Sequence, residues 1–153
     1  MPGDKVQVLG VSPGEKESVK RVYYEGTDTI KNGYALCYNR DYGTAADVDW
    51  SRASHVEKPA SGNLLNFAGL VTGLPSAGKT GPCRLNIVDA REGQVCIGFA
   101  AVNCVINATN LYVRADSYYL WGSTGTHVGK ALQTDASLTA TPGEVQMYLN
   151  GGF

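Results

Sequence analysis

Histidine is nearly missing from this chain. His55 and His127 are the only two in 153 residues. Neither has a second ligand-type residue at the spacing that a zinc site needs, so no metal is expected. Net charge is missing too, with 13 Lys and Arg set against 14 Asp and Glu. A formal charge of −1 provides no broad field for nucleic acid or acidic lipid. Neither is expected as a partner. The start, Met1-Pro2-Gly3-Asp4-Lys5, has no basic segment leading into an apolar run, and no apolar run is long enough to span a bilayer. The chain is therefore expected to be made and kept in a cytoplasm.

Helical periodicity is also lacking. Across residues 85–119 no window offers the i, i+3, i+4, i+7 spacing of a core-facing helix. Nor is there a Cys-x-x-Cys pair or an internal repeat of fixed period. Cys37, Cys83, Cys96 and Cys104 stand apart, which in a reducing compartment predicts buried free thiols. Cys83 and Cys96 flank one predicted hairpin, and their separation in space is left open.

What is present is alternation. Leu85, Ile87 and Asp89 fall on one side of an extended chain, and Asn86, Val88 and Ala90 on the other. Residues 90–93 read as a charged turn ending in Gly, and residues 94–99 alternate again. This predicts a β-hairpin at the centre of the sheet. Further strands are predicted at residues 18–25, 34–39, 63–72, 111–115, 117–121, 128–134 and 144–149. In the second of these, Tyr34, Leu36 and Tyr38 share a face opposite Ala35 and Cys37, which are small enough for another layer to approach closely. Gly is frequent, at 19 residues, which suits many turns between short strands. The expected fold is all-β: a single-domain β-barrel or β-sandwich of short antiparallel strands with long Gly-rich loops. Residues 1–18 read as an N-terminal arm, 19–153 as the β domain and 150–153 as its tail.

One motif matches fully and is rejected. Gly73, Gly78, Lys79 and Thr80 satisfy G-x-x-x-x-G-K-[ST]. A phosphate loop needs a helix starting at the Lys, because the amides at its N-terminus hold the phosphates. Here Gly81-Pro82 follows, and then a strand pattern. The motif is read as a hairpin loop, and no cofactor is expected. Asp47-Val48-Asp49 lacks the Gly and the later Glu of an EF-hand. No catalytic set is identified.

Large aromatics and Arg mark the candidate contact surface: Tyr23, Tyr24, Trp50, Arg52, Tyr118, Trp121 and Phe153. In the pairs Tyr23-Tyr24 and Tyr118-Tyr119, alternation sends one ring to the core and the other outward. Trp50 and Arg52 lie in an unusually long irregular stretch, residues 40–63.

Residues 22–39, Val56-Glu57-Lys58-Pro59 and Asn66-Phe67-Ala68-Gly69-Leu70-Val71 together resemble small proteins encoded among the head genes of tailed bacteriophages, namely capsid decoration, or cement, proteins. The resemblance covers about residues 20–72. It implies a non-enzymatic β-rich protein without a cofactor. Its partners would be the major capsid protein and its own copies, most often as a trimer. It would be made in the bacterial cytoplasm and act on the outer surface of the virion, reinforcing contacts between capsomers. No family binding residue maps onto a position here. Two rival readings are a head-fibre or tail module binding host glycans through Trp50 and Trp121, and a small hydrolase using Cys37 or Cys104 with a histidine.

Overall fold

The computed structural model describes residues 18–39, 54–91 and 93–150. Its strands are β1 (Val19–Tyr24), β2 (Thr29–Ile30), β3 (Ala35–Tyr38), β4 (His55–Glu57), β5 (Phe67–Thr72), β6 (Lys79–Thr80), β7 (Cys83–Asp89), β8 (Gln94–Ala100), β9 (Asn110–Val113), β10 (Leu120–Trp121), β11 (Thr126–Ala131) and β12 (Gly143–Leu149). A 3-10 turn, Leu64–Asn66, precedes β5. The all-β expectation holds. The strands close into two five-stranded barrels, β1-β4-β3-β5-β7 and β8-β10-β9-β11-β12, while β2 and β6 pair with each other outside the rings. Antiparallel pairing dominates, with one parallel pair in each barrel: β1 with β4 and β8 with β10. Closure pairs both sides of every ring strand, so the rings themselves present no free edge to template aggregation.

The two barrels follow one plan. In each, the ring order is first, third, second, fourth, fifth strand, and the first and third run parallel. The registers agree residue by residue. Leu36 faces Gly69 and the ladder then skips to Cys37 opposite Phe67. Leu111 faces Gly129 and the ladder skips to Tyr112 opposite His127. Gly69 in turn faces Asp89, the last residue of β7, and Gly129 faces Leu149, the last of β12. Bonds beyond the strands repeat as well. Ala90 N–H donates to Ala68 O at 3.0 Å, as Asn150 N–H does to Val128 O at 2.9 Å. Glu25 N–H donates to Val56 O at 3.1 Å, as Ala101 N–H does to Leu120 O at 2.8 Å. Equivalent core positions are apolar and buried in both: Leu36 and Leu111, Val56 and Leu120, Ala68 and Val128, Ile87 and Met147. The chain is a tandem pair of one barrel design. No fixed period reveals it, because the connections differ in length. Residues 39–54 join the second and third ring strands of the first barrel, where residues 114–119 suffice in the second.

The predicted hairpin of residues 85–99 does not form. β7 pairs with β5 and β1, and β8 pairs with β12 and β10. The turn between β7 and β8 is the crossover from one barrel to the next. Asp89 closes it by accepting the Arg91 N–H at 3.0 Å. Alternation says which face is buried but not which strand lies alongside, and here each strand closes its own ring.

The barrels are joined by an apolar seam. Ala35, Cys37, Leu70 and Val88, on the outer side of the first barrel, form one continuous cluster with the interior of the second. Small residues on that side of β3 permit this approach, as their sizes suggested. At the seam, Phe99 N–H donates to Gly33 O at 3.0 Å and Ala35 N–H donates to Tyr118 O at 2.9 Å. Gly33 has φ +87°, and a Cβ there would lie 2.6 Å from the Phe99 nitrogen. Only glycine allows both the conformation and the contact. Tyr34 meets Phe99, Tyr118 and Tyr119 with ring centroids 5.1, 5.3 and 5.7 Å apart. Such pairs contribute about 0.5–1.5 kcal/mol each beyond the area they bury.

Candidate interaction surfaces

The residues singled out from sequence are scattered. Trp50, Arg52 and Phe153 lie outside the described residues, as does all but the last residue of the N-terminal arm. Tyr24 is fully buried inside the first barrel and cannot meet a partner. Its neighbour Tyr23 points outward and is half-buried against His55, with ring centroids 4.8 Å apart and Arg84 above its face. The alternation predicted for that pair is what is seen. For Tyr118 and Tyr119 it is not: both rings are half-buried at the seam, because the strand there is only Leu120–Trp121. Trp121 stacks under the Arg114 guanidinium, 4.4 Å from the ring centroid, and its indole N–H donates to Ser117 Oγ at 3.0 Å. Its ring and its polar tip are thus both engaged within the chain.

The rejected phosphate loop is built as β-structure. Lys79 and Thr80 form β6, paired with Thr29 and Ile30 of β2. Thr29 and Thr80 share a hydroxyl hydrogen bond of 2.8 Å, and the Lys79 ammonium donates to the Arg84 carbonyl at 3.2 Å. No helix begins there to present amides to a phosphate. None of the four cysteines forms a disulfide, and Cys83 and Cys96 sit in strands of different barrels. Burial pushes the Cys37 thiol up to about 12, with the nearby Glu57 carboxylate adding to it, and burial also raises Cys104. That is the reverse of what a nucleophilic thiol requires. Among the described residues no group of His, Cys, Asp and Glu is arranged to hold a metal ion, and no helix is long and apolar enough to cross a membrane.

Two surface features were not legible beforehand. The first is an apolar patch on the outer side of β8 and β12. Val95, Ile97 and Tyr148 are 46%, 38% and 41% exposed. Val95 faces Tyr148 directly across the ladder, and Ile97 faces the adjoining Gln146. Alternation marks these positions as the partners of buried Cys96, Gly98, Val145 and Met147, but does not say that nothing among the described residues covers them. Among the described residues Leu65, Val105 and Ile106 are further exposed apolar side chains.

The second is a cleft along the seam. A cavity of about 410 Å³ is lined by Glu25, Thr27, Asp28, Glu57, Lys58 and Tyr118, among others. A second of about 270 Å³ also borders Lys58 and Tyr118 and reaches Thr29, Asp116 and Ser117. Its wall is anchored by a chain of bonds across the two barrels. Tyr24 and Tyr118 hydroxyls are 2.5 Å apart, and Tyr118 donates to Asp28 Oδ2 at 2.7 Å. Burial, then these two bonds, raises the Tyr118 pKa, so the phenol stays protonated and keeps donating. Two carboxylates on the cleft are held in place by amides. Asn39 Nδ2 donates to Glu25 Oε2 at 2.8 Å, and buried Asn63 Nδ2 donates to Glu57 Oε2 at 2.7 Å. No sequence spacing announces this set, because its members come from several separate connections and strands. Compared with known proteins, the chain matches no family model and no curated sequence.

Proposed function

We propose that this chain is a virion structural protein: a capsid decoration, or cement, protein of a tailed bacteriophage. It would act without enzymatic chemistry on the outer surface of the head, as a homotrimer bound to the major capsid protein. The sequence resemblance over residues 20–72 motivates the reading. The observation that carries it is the exposed patch of Val95, Ile97 and Tyr148 on a barrel that has no free strand edge. A body of this kind adheres by laying a face against a partner rather than by adding a strand. A stable contact needs roughly 1,200–2,000 Å² buried in total, and symmetric copies add avidity to modest single contacts.

Co-sedimentation with expanded phage heads stripped of surface proteins tests this directly. The chain is expected to pellet with the heads at saturable stoichiometry, and light scattering is expected to give a mass of three chains. Ile97→Asp combined with Tyr148→Asp should reduce attachment more than tenfold, since each places a charge on the contact face. Failure of the unmutated chain to bind any head, or full attachment by the double variant, would refute the assignment of this face.

A further inference from the structure

We propose that the seam cleft is a saccharide-binding site for an uncharged, hydroxyl-rich glycan. The 410 Å³ cavity alone falls within the range of about 300–1,000 Å³ typical of small-ligand sites. Its chemistry selects the class of ligand. The Lys58 ammonium, 5.2 Å from the centre of the Tyr118 ring, sets a strong donor among the cleft's acceptors. An anion would meet the carboxylates of Glu25, Asp28 and Glu57, with Asp116 beside them. A sugar hydroxyl both donates and accepts, so it can bond to either sign of group in the same small space. The carboxylates are prepared for this. Glu57 is fixed through one oxygen by the Asn63 amide, which sets the orientation of the other, and Glu25 is held between the Asn39 amide and His55, whose Nδ1 lies 3.6 Å from its second oxygen. The Tyr118 phenol is fixed in turn by Tyr24 and Asp28, giving the cleft a rigid aromatic wall. Such positioning lowers the ordering cost of binding. The cleft exists only because the barrels meet: Glu25, Asp28, Glu57 and Lys58 come from the first, and Tyr118 from the approach to β10 in the second.

The test is a microarray of bacterial surface polysaccharides and their oligosaccharides, with hits measured on the full chain by calorimetry. At least one uncharged glycan is expected to bind. Lys58→Ala should weaken it tenfold or more. So should Thr27→Trp, which fills the cleft from an exposed rim position and leaves the Tyr24–Tyr118–Asp28 bonds untouched. Arg84→Ala, outside the cleft, should change nothing. Circular dichroism and melting of each variant establish that it is folded. The proposal is overturned by an array without hits, by hits that both cleft variants retain, or by binding confined to spermidine or to anionic glycans. Attachment to heads is expected to survive Thr27→Trp, so this site and the capsid contact can fail separately.

Discussion

Gly69→Ala is expected to cost about 4 kcal/mol or more, enough to leave much of the chain unfolded at 37 °C. Gly69 has φ +151°, and a Cβ built there lands on the carbonyl oxygen of Val88. The neighbouring strand cannot yield, because Val88 belongs to β7, which is paired on both sides. The same substitution at Gly129 should be almost as damaging, for its Cβ lands on the carbonyl oxygen of Tyr148. These two glycines hold the same place in the two barrels, at the bulge where the fourth strand meets the second and fifth. A bulge there tightens the local bend, so that a five-stranded sheet can close. The control is Gly62→Ala, where an added Cβ meets nothing within 4 Å, and it should be neutral or slightly stabilising. Urea titration of the three variants checks the order. If Gly69→Ala and Gly62→Ala had equal midpoints, the close strand approach described here would be wrong.

That both glycines do one task explains how far the sequence could be read. The faces of strands were legible. Tyr34, Leu36 and Tyr38 were separated correctly from Ala35 and Cys37, and the two sets now fall in different apolar clusters. Residues 63–72, predicted as a strand, contain β5, whose first five residues are buried. Burial on both sides arises because one face fills its own barrel and the other lies under the second. Pairing was not legible. A period of two fixes the face of each residue and is silent about neighbours, so β7 and β8 were joined as a hairpin although they close different rings. The duplication was hidden by unequal loops and by core substitutions that keep character but not identity, such as Ile87 for Met147. The cleft was out of reach for a further reason. Its carboxylates, lysine and tyrosine come from β4 and from three separate connections, and each residue alone looks like ordinary solvated surface.

Alkaline solution is expected to destabilise the fold steeply, beginning near pH 9. Cys37 rises from the ordinary 9.0 to about 12 through burial and then the Glu57 charge. Tyr34 rises from 10.0 to about 12 through burial and then the charge of Tyr119, and burial raises Tyr24 and Tyr118 as well. All four groups are neutral when protonated, and the folded chain holds their protons to higher pH than the unfolded chain does. For Cys37 and Tyr34 the stabilising contribution is therefore complete below the unfolded values of 9 to 10 and disappears as pH climbs toward about 12. For Cys37 alone, three units correspond to at most about 4 kcal/mol at the top of that window. Tyr34 is closer to the surface of the seam and contributes less, since solvent screens part of its shift. Urea midpoints measured from pH 8 to 11.5 should fall continuously for the natural chain. In Cys37→Ala the fall should be shallower, since Cys104, also raised by burial, and the tyrosines still lose their protons over this range. Cys37→Ala also lowers stability at pH 8 by removing a buried sulfur, so the slope and not the starting value is the readout. A flat profile through pH 11, or identical slopes for the two chains, would mean that the thiol is not enclosed beneath the second barrel and that the seam is open to water.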